Sequence, residues 1–278
     1  MSATTDAGIV ENSVGEIHDN HLHRTAGDVL AVDPSARAIG HLVDVLTEHD
    51  DPATVRVLAA RSALKAVADD FNAAATAADL IDDDTLELRA TEDPIGNSLL
   101  LTGDAVVSIV PSAETVAGLT TRDEEFVATV HERYESAWES AEEFTLRTPP
   151  LSRVEETLSE EFGADVREDF DAALDSMEDA HDGAGLDGVT LSLLVAAKNG
   201  EQLYDISKWG EDVGVASKAT FSRVKTDLEE DGFIDTEKVP IDVGRPRLRL
   251  LLGDERLAEA DASQLPRVAR ELLADGDT

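Results

Sequence analysis

Ala216-Ser217-Lys218-Ala219-Thr220-Phe221-Ser222-Arg223-Val224-Lys225 is the stretch on which the reading of this chain turns. Phe221, Val224 and Leu228 follow one another at i, i+3 and i+7, so a helix here packs them inward. Ser217, Lys218, Ser222, Arg223 and Lys225 are then expected outside, with Thr220 at the boundary. Ser217 suits the N-cap, which leaves the first backbone N–H groups and the positive end of the helix dipole open to a phosphate. Arg and Lys match guanine edges, and Ser and Thr hydroxyls contact bases or phosphates. Glu229, Glu230 and Asp231 turn the same helix acidic before Gly232 ends it.

Outward from this helix the pattern extends both ways. Upstream, Leu191, Leu194 and Val195 supply one short helix, Ile206, Trp209 and Val213 a second, and Gly214 makes the turn. Ala216 is one residue more than the usual spacing from such a glycine to the capping serine, which leaves the phase of the third helix open. Downstream, Phe233-Ile234 and Leu248 to Leu252 read as two strands of a hairpin, with Gly244-Arg245-Pro246 near its tip and Arg247 behind it. An arginine held there by proline suits a phosphate track or a minor groove. Helix, helix, Ser-capped basic helix and basic hairpin together predict a winged helix-turn-helix. The candidate DNA contacts are Ser217, Lys218, Thr220, Ser222, Arg223, Lys225, Arg245 and Arg247.

A formal net charge of −37 runs against a polyanionic partner. Only 6 of the 23 basic residues are Lys, and there is no Cys. That balance is typical of proteins from salt-loving microbes, in which surface acid serves solubility. Residues 187 to 256 hold 10 basic and 14 acidic residues, a net of −4, which leaves −33 on the other 208. The region proposed to face DNA is thus the part least repelled by it. Lack of Cys removes disulfides, thiolate metal sites and a Cys nucleophile. No secretory signal, lipidation signal or apolar run of membrane length is visible, so a cytoplasmic location without a membrane partner is expected.

A length of 278 residues suits more than one domain. Residues 1 to 148 read as an α/β domain. Asp28 to Val32 and Thr54 to Ala59 look like strands, Ser35 to Glu48 and Ser62 to Leu80 like helices, and Leu86 to Ala90, Ser98 to Thr102 and Ala105 to Val110 like further strands of a parallel sheet. Gly103-Asp104 marks a hairpin. The second helix carries a stripe of Leu64, Val67, Phe71 and Ala75. From Thr121, spaced from Glu124 as in a capping box, a long helix runs to Phe144 with Val127, Val130, Tyr134, Trp138 and Ala141 on the face expected to meet the sheet. Arg61 and Ser62, at a helix start, fit an anionic metabolite effector, but the plainer reading is favoured, Ser62 as a helix cap and Arg61 as a surface charge, since capping alone accounts for the serine. His18, His21 and His23 lack a ligand-spaced partner segment, so no metal is assigned.

Thr148-Pro149-Pro150 breaks the chain. Residues 149 to 186 form a connector of two helices divided at Gly163, the second striped with Val166, Phe170, Leu174 and Met177; these helices either pair two subunits or cap the C-terminal domain. Gly183-Ala184-Gly185-Leu186-Asp187-Gly188 matches G-x-G-x-x-G formally, but an acidic helix precedes it where a dinucleotide fold needs a strand, so no nucleotide cofactor follows. Residues 187 to 278 make up the winged helix-turn-helix and a C-terminal helix.

Tyr204-Asp205-Ile206-Ser207-Lys208-Trp209-Gly210, the helix opening at Ser217 and the Gly244-Arg245-Pro246 wing, set behind an α/β domain and acidic connecting helices, resemble the haloarchaeal TbsP-like transcriptional regulators. The likeness spans the chain and is most specific in the winged helix. It implies a DNA-binding regulator of central carbon metabolism genes, with an N-terminal domain akin to the sensor domains of archaeal sugar-responsive regulators. An enzyme is the competing class. The chain has no G-x-S-x-G elbow, H-E-x-x-H or Walker glycine loop, and fold alone carries no reaction. A third class is a winged helix that binds protein. A single short recognition helix covers few base pairs, so a homodimer on double-stranded DNA is expected, joined through residues 152 to 180 or the N-terminal domain.

Overall fold

In the computed structural model the described residues are 9–11, 13–22, 27–49, 53–112, 115–178, 186–240 and 246–276. The chain divides into two compact units, one of residues 1–69 and 73–146, the other of residues 70–72 and 147–278. In order, the first holds β1 (Ile9–Glu11), α1 (Val14–Leu22), β2 (Val29–Val32), α2 (Ala36–Thr47), β3 (Val55–Ala60), α3 (Arg61–Ala68), α4 (Phe71–Asp82), β4 (Leu86–Thr91), β5 (Leu99–Thr102), β6 (Ala105–Pro111), β7 (Val116–Thr121), α5 (Glu124–Ser140) and β8 (Glu142–Glu143). The first two residues of α4 count with the second unit.

The strands form one eight-stranded sheet in the order β1-β7-β6-β5-β2-β3-β4-β8. The sheet is mixed where the sequence predicted a parallel one: only β2, β3 and β4 run parallel, and the remaining neighbours are antiparallel. Every residue of β2 is buried, as a continuous apolar run covered on both faces requires. Val29 and Ala31 join Val55, Val57, Ile39, Leu42 and Leu64 on one face. Leu30, Val32, Leu58, Leu101 and Val106 meet Val127, Tyr134 and Trp138 of α5 on the other, which is the packing predicted for that stripe. α5 begins later than expected: Asp123, not Thr121, is its N-cap, accepting from the Phe126 N–H at 3.0 Å. Arg89 donates to the Trp138 carbonyl at 2.8 Å, and the Arg56 and Arg89 guanidiniums lie 5.4 and 4.8 Å from the Trp138 ring. Arg56 also grips both oxygens of Glu135, at 2.8 and 2.5 Å. That hydrogen-bonded pairing raises the arginine pKa and lowers the glutamate's.

The second unit holds α6 (Leu151–Phe162), α7 (Ala164–Glu178), α8 (Gly188–Lys198), α9 (Leu203–Val213), α10 (Lys218–Glu230), β9 (Ile234–Val239), β10 (Arg247–Leu252), α11 (Glu255–Glu259), a 3-10 turn (Ala262–Gln264) and α12 (Leu265–Gly276). α8 is buried almost all round and forms the centre, as expected of a helix apolar on every side. Val154, Leu158, Val166, Phe170 and Leu174 of α6 and α7 share one core with Phe221, Phe233, Leu250 and Leu265. The connector at 149–186 is therefore part of the winged-helix unit, because its apolar stripes are consumed in that core. Trp209 shows the tie: its indole N–H donates to Thr157 Oγ1 at 2.9 Å, and its ring meets Phe162 edge-on with centroids 6.3 Å apart.

The predicted helix at 62–80 breaks at Asp69, and its stripe divides with it. Leu64 and Val67 enter the core of the first unit, whereas Phe71 packs edge-on against Phe170 in the second. Gly188 lies under that ring; a Cβ there would approach Phe71 to 2.4 Å. Gly188 thus serves helix packing; residues 183–185 lie outside the described residues. Gly210 is constrained in the same way, since a Cβ there would come within 2.3 Å of the Phe221 ring.

Gly210→Ala and Gly40→Ala have opposite expected effects on urea denaturation, followed by fluorescence of Trp138 in one unit and Trp209 in the other. Overpacking against Phe221 should destabilise the second unit by about 1–3 kcal/mol. At Gly40, inside α2, an added Cβ meets nothing within 4 Å, so the alanine should stabilise the first unit by roughly 0.5–1 kcal/mol.

Candidate nucleic-acid interface

Two glycines and a serine place the third helix of the motif. Gly214 ends α9 with φ at 102°, the left-handed region, and its N–H bonds back to the Gly210 carbonyl at 3.1 Å. The Ala216 N–H reaches the same carbonyl at 3.3 Å, so the extra residue is absorbed in a turn that closes on Gly210. Ser217 is the N-cap, as predicted; its Oγ accepts from the Thr220 N–H at 3.2 Å and lies 3.0 Å from Thr220 Oγ1. Phe221 and Leu228 are buried, and Val224 packs partly against them. Ser217, Lys218, Ser222 and Arg223 stand exposed, with Thr220 at the boundary. Arg223 is more open than Lys218, their side chains 69% and 44% accessible.

Lys225 corrects the sequence reading. It lies at i+4 from Phe221, on the packed stripe, and only 9% of the residue is exposed. Its stem is covered while the ammonium reaches Glu229 at 2.8 Å. The other Glu229 oxygen accepts from Thr236 Oγ1 of β9, also at 2.8 Å. Lys225 therefore braces the helix against the wing and does not face outward. Arg247 is likewise engaged inside the unit: Nη1 donates to Asp205 at 3.0 and 3.2 Å and to Gln202 at 3.3 Å, and its guanidinium lies 4.5 Å from the Tyr204 ring. Arg247 ties the root of β10 to the start of α9. Arg245 and Gly244, assigned to the wing tip, lie outside the described residues.

Each outward cation that is described on α9 and α10 has an acid beside it. Lys218 Nζ lies 2.6 Å from Glu211, whose other oxygen takes the Lys218 backbone N–H at 3.4 Å. A carboxylate thus occupies the anion position that the start of α10 offers. Lys208 pairs with Asp212 at 2.7 Å and Arg223 with Asp227 at 3.5 Å. These contacts hold the Glu211 and Asp212 carboxyls below, and the Lys208 and Lys218 amines above, their usual pKa ranges. Sequence reasoning missed Glu211 because it faces Lys218 across a turn, where no helical spacing signals the pair. It also passed over the exposed Thr226, on the outer arc of α10, and Lys238 on β9.

In the first unit Arg61 opens α3 directly after β3, with Ala60 and not Ser62 as N-cap. Its guanidinium reaches Glu142 at 2.6 Å and Glu92 at 3.4 Å, so the charge offered to an anionic effector is already met by two carboxylates. Ser62 is exposed and makes no cap. A cavity of about 660 Å³ lies elsewhere, lined by Asp104, Arg122, Glu124, Val127 and His131. Arg122 pairs with Asp104 there, and His131 Nε2 sits 2.8 Å from the Thr102 carbonyl. The helix holding His18 buries that side chain; the His21 side chain and His23 lie outside the described residues. Among the described residues no cluster of metal-ligating side chains occurs and no helix is long and apolar enough to cross a membrane.

Comparison with known proteins places the whole arrangement. Residues 6–149 match the profile described as "Transcriptional regulator TbsP-like, N-terminal", and residues 150–270 that described as "Transcriptional regulator TbsP-like, C-terminal HTH domain". Two profiles side by side define a helix-turn-helix transcriptional regulator. The chain belongs to the TbsP-like transcriptional regulators. No curated protein matches it. Among solved structures, TrmBL2, described as an archaeal chromatin protein with a novel mode of DNA binding, is 16% identical with a TM-score of 0.38, over 50% of this chain and 54% of that one. The chain thus spans about half the length of that relative. Nuc, a phospholipase D family member from Salmonella typhimurium, is 11% identical with a TM-score of 0.34, over 50% of this chain and 97% of its own.

The brace that Lys225 forms on α10 depends on pH. Because Lys225 and Thr236 donate to Glu229, its folded pKa lies below the ordinary 4.5. A depressed carboxylate stabilises the fold above its unfolded pKa and ceases to do so as pH falls through the folded value. Glu229→Gln should therefore unfold at lower temperature than wild type at pH 7, and the difference should close as the pH is lowered below 4.5. A gap independent of pH would show that the brace is not electrostatic.

Proposed function

We propose that the chain is a cytoplasmic, sequence-specific regulator of central carbon metabolism genes, acting as a homodimer on double-stranded promoter DNA and not as an enzyme. The observation that carries the DNA reading is the outer face of α10, where Ser217, Lys218, Ser222 and Arg223 stand exposed around a capped helix start. That face suits a major groove, hydroxyls and Lys218 toward phosphates and Arg223 toward a base edge. Arg245, in the stretch of chain that joins β9 to β10, supplies the second contact, to the backbone or the minor groove. The acidic composition reflects work in concentrated salt.

Sensing of a small metabolite by the first unit is the finer part of the proposal. The ion pairs of Arg61 weigh against the helix start at Arg61 and Ser62 as its place. The cavity lined by Arg122 and His131 is the other candidate, chosen for its volume, since Arg122 is likewise paired there, with Asp104. Central-carbon intermediates that raise the melting temperature of wild type but not of Arg122→Ala would support this; no shift with any of them would end it.

Operator affinity of single variants tests the reading head. Arg223→Ala should cost about 1–3 kcal/mol on the operator and relax preference at one base position. Arg245→Ala should weaken binding to operator and unrelated DNA alike. Lys225→Ala should lower stability and leave the sequence preference of the folded protein intact. Wild-type affinity in both arginine variants would remove this function from the winged helix, leaving protein binding as the alternative.

A further inference from the structure

The apolar stripes of α6 and α7, one candidate for subunit pairing, are consumed in the core of their own unit. The first unit keeps an apolar surface open. Val107 and Ile109 of β6 face the core beneath α1 and α2, and Val106 faces the one beneath α5. Alternation puts Ser108 and Val110 on the α5 side. The register Ser108↔Leu119 and Val110↔Ala117 sets Leu119 and Ala117 of β7 beside them. No residue of β7 belongs to the cluster under α5, so this end of the sheet extends past the helix. Leu119 is 55% exposed, Val110 46%, and Phe126 in the first turn of α5 51%.

The strands of that surface carry no charge, whereas the first turn of α5 beside Phe126 is acidic at Glu124 and Glu125. β6 and β7 read AVVSIVP and VAGLTT, without one ionisable side chain, in a chain of which 30% is charged. Elsewhere the sheet does carry charge, as at Arg56, Glu87 and Arg89.

We infer that the open β6–β7 face is where a second copy of this chain docks, the two faces meeting across a two-fold axis. This deepens the dimer of the proposed function and rests on it. Given two copies, charge selects the face on which they meet. Two copies at −37 each repel wherever their acidic surfaces approach. A two-fold contact sets each patch against itself, so an acidic patch would meet the same acid, whereas a neutral apolar strip is complementary to its own copy. Stacked sheet faces lie about 10 Å apart, within reach of interdigitated Leu119 and Val110 side chains.

Light scattering on the full chain tests this, with wild type compared with Leu119→Lys over a range of KCl concentrations. Leu119 is exposed, so the lysine leaves the core intact, which circular dichroism checks. Wild type should be dimeric and associate more tightly as salt rises; Leu119→Lys should weaken association by more than about a hundredfold. Because the chain has no cysteine, Leu119→Cys gives a second readout: a short bis-maleimide should couple it into a covalent dimer, and should not couple Glu87→Cys on β4. A dimeric Leu119→Lys with uncoupled Leu119→Cys overturns the interface while the two-copy reading stands. Wild type monomeric at every salt concentration overturns the interface, and a gel shift then decides the reading beneath it: two copies assembling only on the operator keep that reading, and one copy removes it.

Discussion

The ring of Phe221 lies where a side chain at position 210 would have to be. Much of the second unit depends on that exclusion. With only hydrogen on Gly210, α10 can approach α9 closely enough for Phe221 to be fully buried beside Trp209, and Trp209 in turn takes α6 into the same core. The carbonyl of Gly210 then receives the N–H groups of Gly214 and Ala216, so one residue fixes both the contact of the helices and the turn between them. Once Phe221 is inward, the phase of α10 is settled. Ser222 and Arg223 face out, and Lys225 falls on the covered stripe.

That geometry decides what charge the interface can deploy. Lys218, Lys208 and Arg223 all stand beside carboxylates of their own unit, and Glu211 takes both the ammonium and the backbone N–H of Lys218. Exposed pairs of this kind stabilise a fold little. In the proposed DNA contact their effect would be larger, because a phosphate approaching the start of α10 would have to replace a carboxylate already there. An ordinary basic surface releases counterions to the solvent; in the proposed contact this one would exchange an internal partner for an external one. The excess acid of the rest of the chain adds a general repulsion that salt screens.

The local periodicities of this chain were legible, and the long-range choices were not. The Ser217 cap, the inward Phe221 and Leu228, the α5 stripe and the Gly103-Asp104 hairpin all follow from spacing within a few residues. Lys225 was misplaced because Val224 and Lys225 both lie near the inward arc, and a long stem with a charged tip satisfies either side. β7 escaped notice because Gly118 and two threonines dilute its pattern. Phe71 looks like one more member of a helical stripe, and nothing local reveals that its ring serves a different core from Leu64 and Val67. Arg61 appeared available because its partners, Glu92 and Glu142, are 31 and 81 residues away.

The salt dependence of operator affinity tests most directly the claim that this interface trades internal carboxylates for phosphates. The Debye length falls from about 10 Å at 0.1 M to roughly 3 Å at 1 M, which hides distant acid from the duplex and leaves direct contacts in place. A binder that neutralises six phosphates by counterion release shows a log–log slope of about −5. For this chain, titrated with KCl from tenths of molar toward molar and checked by circular dichroism for folding, affinity should stay level or rise. A fall of several orders of magnitude by the folded protein would contradict the account and show that plain phosphate neutralisation governs binding.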